Sequence, residues 1–443
     1  MNLLLGALGL NLLYVVNEIH FNLDTHIPGL SPTNIIFLVM LLFMRGKEEV
    51  VKTEPYLKKA IFIFYGGLTF GFLWAQIRAP GPFLDDITYY KNALFYPLYY
   101  FVFLKCRQDE KNTRRLIIWI LVIAAVAALE AVREGLDYGF GKYNAFRRAS
   151  GPFGTDWHMS NRAGVYYGMF MGMFVALAIF LKGKGKRLWR IAAIGGASLT
   201  AVGALATYSR QSYFLVLLAI VVLLVRRSLI LAGFMVVVAI SLVGYLPDSV
   251  FQRVEETKQQ GKSGDEEVDA STSSRWEIWE GGMHMLAANP IGVGLHRWTD
   301  EIGNYSSFKH IDAHNFYVLT LGECGPLGEV TLIYLIVSLF GLARFIRKNR
   351  PPDDPEATAL ALGFTVTTLN MALGGIYGSP TLQGSVMGTY WALGGLLERY
   401  MILKKQNAGP SGSGEVVEEK RGDSLTDRFP LAAYITPGSR KTP

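Results

Sequence analysis

The chain has 443 residues, of which 51% are hydrophobic and only 18% are charged, and its mean hydropathy is +0.26. A soluble protein of this length carries more charge and shorter apolar runs, so the composition excludes an ordinary soluble domain. The formal net charge of +7 fits Lys and Arg in cytoplasmic loops of a membrane protein better than it fits nucleic-acid binding.

Apolar stretches that approach the ~20 residues needed to cross a bilayer recur along most of the chain. The first, from Met1 to Val16, lacks the basic start and small-residue cleavage site of a secretory leader, so we interpret it as a membrane span. The pattern predicts an all-α polytopic membrane protein with about twelve transmembrane helices. The predicted spans are 2–17, 31–45, 59–77, 87–105, 114–133, 163–181, 188–208, 211–226, 228–246, 315–345, 357–376 and 384–403.

Loops rich in Lys and Arg alternate along the chain with loops that are poorer in cations, apart from a cluster in 134–162. By the positive-inside rule the rich loops are cytoplasmic, so an even number of spans puts both termini in the cytoplasm. Cys106 and Cys324 then lie on opposite sides of the membrane, which excludes a disulfide between them. The rich loops comprise residues 45–59, 105–115, 182–190, 226–227 and 344–350.

This topology divides the chain into four parts. Residues 1–246 hold spans one to nine, 247–314 form a periplasmic loop domain, 315–405 hold spans ten to twelve, and 406–443 form a disordered cytoplasmic tail. In the loop domain, apolar residues at three- and four-residue spacing predict a helix over 273–288, ended by Asn289-Pro290. We expect a mostly helical cap there, and we interpret the acidic run at 265–269 as a solvated loop.

Two arginines lie where the predicted spans meet the periplasm. Arg210 separates spans seven and eight, and Arg275 begins the cap helix behind Thr272, Ser273 and Ser274. An arginine at such a boundary is either a headgroup-contacting cation or a phosphate ligand. A guanidinium binds phosphate oxygens bidentately and stays charged, and a helix start adds spare N–H groups, so an anion site is the sharper hypothesis.

His314 opens the tenth predicted span, beside Asn315. An imidazole at an interface is more often a packing or hydrogen-bonding group, yet histidine is the side chain best suited to general-base catalysis near neutral pH. His20, His26, His158, His284, His296 and His310 also fall on the periplasmic side, so position alone does not single out His314. Their spacing forms no helix-borne metal motif, and we therefore predict chemistry without a metal.

Four short motifs follow one another along the chain, at the predicted periplasmic face. They are Thr207-Tyr208-Ser209-Arg210-Gln211-Ser212, Ser274-Arg275-Trp276-Glu277-Ile278-Trp279, Asn289-Pro290-Ile291-Gly292-Val293-Gly294, and Ala313-His314-Asn315-Phe316-Tyr317 with Gly322-Glu323-Cys324-Gly325. Together they resemble the O-antigen ligase family and its polymerase relatives, over roughly residues 145 to 330. Ser150-Gly151-Pro152-Phe153-Gly154 with Asn161 also looks like a family element, whereas Gln211 departs from the glycine that many relatives have.

The resemblance implies a glycosyltransferase that moves a glycan from undecaprenyl diphosphate to a sugar hydroxyl of the lipid A core, at the periplasmic face of the bacterial inner membrane. Arg210 and Arg275 would bind the diphosphate, and His314 would act on the acceptor hydroxyl. Because the donor already carries a leaving group, we predict a single displacement with inversion and no cofactor. As a further hypothesis, the binding platform includes Arg147, Arg148, Arg162, Arg297 and Asn315.

Other readings remain open from the sequence. A polymerase would use the same donor and extend a second lipid-linked repeat, and a variant ligase would attach the glycan to a protein. A transporter or flippase of lipid-linked sugars would place paired ionisable groups at mid-bilayer, where Glu130 and Glu323 are candidates. Since the cations of interest gather at one boundary, we favour chemistry at one face over alternating access.

Overall fold

The computed structural model describes residues 3–20, 31–44, 51, 53–140, 144, 146–154, 159–242, 258–260, 266–268, 270–379 and 383–407. The predicted disordered tail lies outside the described residues beyond Asn407, as do Asp265 and Asp269 of the acidic run. The helices are α1 (Leu3–Val16), α2 (Pro32–Met44), α3 (Lys58–Arg78), α4 (Phe83–Phe95), α5 (Leu98–Leu104), α6 (Glu110–Tyr138), α7 (Ser160–Phe180), α8 (Arg187–Ala206), α9 (Arg210–Arg227), α10 (Leu229–Leu242), α11 (Ala270–Ala288), α12 (Trp298–Glu301), α13 (Phe316–Asn349), α14 (Pro355–Gly374) and α15 (Gly384–Asn407).

Helices occupy every one of the predicted spans. Within the described ranges, six helical segments are long and apolar enough to cross a membrane by length and composition, namely α3, α6, α7, α8, α13 and Pro355–Tyr377, and α1 and α2 are shorter apolar helices. The fourth predicted span is two helices, α4 and α5, because Pro97 interrupts the run. A helical, polytopic membrane protein is thus confirmed, while the count of twelve spans and the periplasmic placement of the loop domain stay predictions.

The predicted cap helix is present as α11, but it begins at Ala270, three residues earlier than expected, so Arg275 lies in its second turn and not at its start. The loop domain also contains two strands, β1 (Lys258–Gln260) and β2 (Glu266–Val268), paired antiparallel with Lys258 opposite Val268. This ribbon is a small departure from an all-α chain. It takes up Glu266 and Glu267, which the sequence assigned to a loop.

Helix α7 forms the centre of the bundle and packs against α8, α9 and α14. Its small residues permit close approach: a Cβ at Gly168 would lie 2.6 Å from the Leu215 Cβ of α9. Asn370 of α14 donates to the Gly168 carbonyl at 2.6 Å and the Leu215 carbonyl at 2.9 Å, joining three helices at one buried point. The close glycine contact and these side chain–backbone hydrogen bonds therefore fix the relative positions of α7, α9 and α14.

Ion pairs join the helix ends at one end of the bundle. Glu356, in the first turn of α14, accepts from Lys186 at 2.8 Å and from Arg114 of α6. Lys404 near the end of α15 contacts Asp354 at 2.5 Å. The other end of the bundle then holds the end of α8, the start of α9 and the end of α14, where the predicted site residues begin.

The helix that follows His314 is broken. Within α13, Gly325 adopts φ 65° and ψ −170°, and Pro326 follows it. Proline has no N–H, so the Gly322 carbonyl four residues earlier loses its helical donor. The Val293 N–H, from the loop after α11, supplies that donor at 2.9 Å. The motif around Asn289-Pro290 is therefore the partner of the break in α13.

The same loop also binds α3. The Leu295 N–H donates to the Gly71 carbonyl at 3.0 Å, and the indole of Trp74 donates to the Gly292 carbonyl at 2.9 Å. Gly292 has φ 94°, and a Cβ there would lie 2.5 Å from the Glu323 carbonyl oxygen, so only glycine fits. The loop is thus wedged between α3 and α13 and joins the α11 region to the bundle.

Candidate functional site

Arg210 is the first residue of α9, directly after a tight turn from α8. Tyr208 adopts φ 48°, a left-handed conformation that reverses the chain. Thr207 and Ser212 hydroxyls lie 3.1 Å apart, and Ser212 also donates to the Ser209 carbonyl at 2.8 Å. Hydroxyl-bearing residues in this motif therefore hold the turn, and the turn places Arg210 at the helix start.

Arg210 and Arg275 line one cavity of about 330 Å³, together with Gln211, Phe214, Leu373, Ile376 and Tyr377. Both arginines are half-buried. The Arg275 guanidinium carbon lies 5.7 Å from the centroid of the Tyr377 ring, in the range of a cation–π contact. Two cations that the sequence places far apart thus meet in one cavity with apolar and aromatic walls.

Gln211 positions one wall of this cavity. Its side-chain amide donates to the Gly374 carbonyl at 2.9 Å, at the junction of α14 and the 3₁₀ turn Gly375–Tyr377. The tight turn lies before Gln211, at residues 207–209. The departure from the family pattern therefore leaves the turn in place and adds a tie from α9 to the segment that carries Tyr377.

His314 is not among the residues that line the cavity, and its backbone is strained. It adopts φ 50°, and its Nδ1 lies 3.8 Å from an Asp312 carboxylate oxygen. The preceding Ala313 carbonyl accepts from the Trp279 indole at 2.8 Å, and the Trp279 ring lies 5.7 Å from Tyr377. The aromatic pair therefore connects the histidine segment to the arginine cavity.

Asn315 has a structural role at the start of α13. Its side-chain oxygen caps α13, accepting from the N–H groups of Tyr317 at 3.0 Å and Val318 at 3.2 Å. The Tyr317 hydroxyl in turn donates to the Ala372 carbonyl at 2.8 Å. The cap fixes where α13 begins and so fixes the residue before it, His314.

Arg162, in the first turn of α7, belongs to the same neighbourhood. It is half-buried, and the Asp312 carboxylate acts on it electrostatically. Gly164, half a turn further along α7, lies so close to α9 that a Cβ would be 2.7 Å from that of Ser212. Arg162 is thereby placed between the α8–α9 turn and the Asp312–His314 segment.

Arg147 and Arg148 differ in their surroundings. Arg147 is exposed, whereas Arg148 is buried and donates to the Thr207 carbonyl at 2.8 Å and to Asn161 at 2.7 Å. Arg148 therefore stabilises the turn that precedes Arg210. Of the two, Arg147 has the more accessible charge for an anionic substrate.

Arg297 is buried in an ion pair with Asp86 of α4. One guanidinium nitrogen lies 2.7 Å from the first carboxylate oxygen, and a second contacts the other oxygen. Hydrogen bonds from Arg297 hold the pKa of Asp86 well below its usual value, so the pair is ionised at neutral pH. The carboxylate compensates the Arg297 charge, and the pair joins α4 to the loop after Leu295.

His296 is a site feature that the sequence did not single out. Its Nδ1 lies 3.1 Å from the Asp86 carboxylate, and its ring stacks on Tyr89 with 4.5 Å between centroids. Tyr89 is half-buried and lies within electrostatic range of Asp312, which links the His296 segment to the His314 segment. Tyr377, Asp312 and Asp86 were missed as well; only the fold brings them to the motifs, and no spacing in the sequence reveals them.

Across the described ranges, no group of three or more His, Cys, Asp or Glu side chains is arranged to hold a metal ion. Cys106 and Cys324 are both free and buried.

Residues 195–333 match the family model described as O-antigen ligase. The resemblance predicted from the motifs is thereby confirmed, and the matched segment contains Arg210, Arg275 and His314. It runs from α8 through the first half of α13, so it includes both arginines of the cavity and the kink, whereas Leu373, Ile376 and Tyr377 of the cavity wall lie outside it. No curated protein matches the chain.

Proposed function

From its match to the O-antigen ligase family, we propose that the chain is a glycosyltransferase of the inner membrane. It moves a glycan from undecaprenyl diphosphate to a sugar hydroxyl of the lipid A core at the periplasmic face. The reaction inverts the anomeric carbon and needs no metal. Arg210 and Arg275 bind the diphosphate, and His314 activates the acceptor.

One observation carries this proposal: Arg210 and Arg275 come from different helices and line one cavity of about 330 Å³. Volumes of this order are typical of small-molecule sites. A diphosphate offers several anionic oxygens, and two guanidinium groups match them bidentately. The apolar and aromatic members of the wall suit the start of a lipid tail.

The chemistry assigned to these residues is a single displacement. The acceptor oxygen attacks the anomeric carbon, the bond from that carbon to the phosphate oxygen breaks, and the electron pair leaves with the diphosphate. Two arginines stabilise the charge that builds on the leaving group more in the transition state than in the ground state. The hydroxyl proton passes to the His314 imidazole, since general-base assistance typically contributes ~10²–10⁴-fold.

Neighbouring charges receive supporting roles in this proposal. Asp312, 3.8 Å from His314 Nδ1, orients the ring and stabilises its protonated form. Arg162 and Arg147 extend this cationic platform toward either anionic lipid. Arg148 and Arg297 hold the α8–α9 turn and the loop after Leu295, and Asn315 holds the start of α13.

The test uses purified full-length protein with a lipid-linked glycan donor and two acceptors in parallel, the lipid A core and a second lipid-linked repeat. EDTA is present in one set of reactions. We expect glycan on the lipid A core, equal rates with and without EDTA, and loss of transfer in Arg275→Ala and His314→Ala. Arg133→Ala, a change in an exposed α6 side chain, is the matched control.

Each other outcome has a defined meaning. Growth on the second lipid-linked repeat would assign the chain to the polymerase relatives. Transfer that needs a divalent metal would overturn the metal-independent mechanism. Intact donor with both acceptors, together with movement of the donor across vesicle membranes, would replace the enzyme by a transporter.

A further inference from the structure

A second concave surface lies at the other end of the helices that carry the site. It is a groove of about 400 Å³ between α6 and α8, with Phe174 and Leu177 of α7 as its floor. The lining is aliphatic and aromatic apart from Arg114 and Glu356, which lie at one end. None of the residues assigned to the transferase site lines this groove.

The groove exists because two side chains are missing from its α8 wall. A Cβ at Gly196 would lie 2.5 Å from the Phe174 ring, so this glycine lets α8 approach α7. At Gly195 a Cβ would meet nothing within 4 Å, so the position opens onto the groove itself. The groove therefore depends on the adjacent glycines Gly195 and Gly196 of α8.

The length of the groove matches one leaflet. On α6 its lining runs from Ile117 to Leu129, a rise of roughly 18 Å at 1.5 Å per residue. The hydrocarbon of a single leaflet is about 15 Å thick. A lipid of the leaflet next to Arg114 thus fits the groove along its whole acyl chain.

The polar end of the groove is cationic. Arg114 and Lys186 share the single carboxylate of Glu356, which leaves one positive charge in excess. Arg114 also lies 5.4 Å from the ring centroid of Trp189, and tryptophan is enriched where lipid headgroups meet hydrocarbon. Residues 182–190 contribute five Lys and Arg and no acidic residue.

We propose that this groove binds an anionic glycerophospholipid of the leaflet opposite the transferase site, with its acyl chain along α6 and its phosphate beside Arg114 and Trp189. Each basic residue near a membrane surface favours an anionic lipid by about fivefold. The bound lipid fills the space between α6 and α8. The transferase reaction is not part of this inference.

The experiment is a lipid titration of the purified full-length protein by native mass spectrometry. The probes are phosphatidylglycerol and phosphatidylcholine with identical acyl chains, and undecaprenyl phosphate as a competitor. Gly195→Leu and Ala192→Trp fill the groove from α8. Gly66→Leu is the matched control, because a Cβ at this α3 glycine also meets nothing within 4 Å and lies outside the groove.

We expect the wild-type chain and Gly66→Leu to retain phosphatidylglycerol about fivefold better than phosphatidylcholine, and both groove-filling variants to lose it. Equal retention by the filled and control variants would overturn the site. Equal binding of both phospholipids would overturn the anionic assignment. Displacement of phosphatidylglycerol by undecaprenyl phosphate would assign the groove to the isoprenoid instead. A monodisperse size-exclusion profile of each variant shows that it is folded.

Discussion

At the scale of single residues, the arginine cavity depends on geometry as much as on charge. Arg275 lies over the Tyr377 ring and beside Arg210 in one cavity. A planar guanidinium can do both, whereas an ammonium group offers a compact charge without the bidentate fork. Arginine and lysine at position 275 should therefore give different rates of glycan transfer.

Arg275→Lys should lower kcat/KM for glycan transfer by about tenfold, and Arg275→Ala by about a hundredfold or more, because a charge-assisted hydrogen bond contributes ~1.5–3 kcal/mol. Initial rates with purified protein and a lipid-linked donor measure both. If lysine restores the full rate, the bidentate contact has no role.

Gln211 gives a second prediction at this scale. Its amide donates to the Gly374 carbonyl at 2.9 Å and to the Leu373 carbonyl at 3.5 Å, and Gln211→Leu removes both contacts. Since such a bond is worth ~1 kcal/mol, we expect a small fall in the melting temperature and a rise of up to about fivefold in the KM for the donor, because the wall that carries Tyr377 is released. A fall in melting temperature with an unaltered KM would show that the tie is structural only.

Sequence motifs at this scale predicted Arg210, Arg275 and His314 as site residues, because those residues occur in short ordered patterns with clear chemistry. They did not identify Tyr377 or Asp312, since an aromatic ring after a span or a carboxylate two residues before a histidine is common. Arg297 and Arg148 were proposed as ligands from charge alone. Their burial against Asp86 and Thr207 is visible only in the fold.

At the scale of secondary structure, the break in α13 gives the clearest contrast between prediction and structure. A proline inside a predicted span indicates a possible kink. The sequence does not reveal that the loop at 291–295 supplies the missing donor, because that pairing joins elements across the fold. The apolar runs located the helices well, whereas helix ends and the split between α4 and α5 depend on local turns.

Gly325→Ala should destabilise the protein by at least ~1–3 kcal/mol, because its backbone conformation is nearly exclusive to glycine. A Cβ there would also lie 2.3 Å from the Ile291 carbonyl oxygen. Gly66→Ala, in open space on α3, should be neutral or stabilising by comparison. Thermal unfolding of the two variants in detergent compares them directly, and equal melting temperatures would contradict the wedge.

The Asp86–Arg297 pair joins α4 to the loop that follows Leu295. Asp86→Asn should cost about 3–5 kcal/mol, since it leaves a buried guanidinium without its counter-charge. The double change Asp86→Leu with Arg297→Met should recover much of this loss. Because the pKa of Asp86 is lowered, the ion pair contributes its full stabilisation of the folded protein above the ordinary carboxyl pKa of ~4. This contribution weakens as the pH falls below that value.

At the scale of the whole molecule, the ion pairs around Glu356 and the site around Arg210 lie at opposite ends of the helices. The positive-inside rule then predicts that the Glu356 end lies in the cytoplasm and the site in the periplasm. Both native cysteines are buried, so they provide a silent background for labelling.

Glu280→Cys, on exposed α11, should react with a membrane-impermeant thiol reagent on intact spheroplasts. Lys184→Cys, exposed between α7 and α8, should react only after the membrane is permeabilised. Mass-shift gels report both. The reverse pattern would invert the topology and place the arginine cavity in the cytoplasm.

The wedge between α3 and α13 also sets a rule for exchanging parts between relatives. The amide of Val293 satisfies a carbonyl that Pro326 leaves without a partner, so loop and helix are two halves of one hydrogen-bonded unit. A chimaera that imports a loop with a different backbone path over 289–297 while keeping the native 316–326 would lose that hydrogen bond. Segments exchanged between relatives should therefore carry the loop and the start of α13 together.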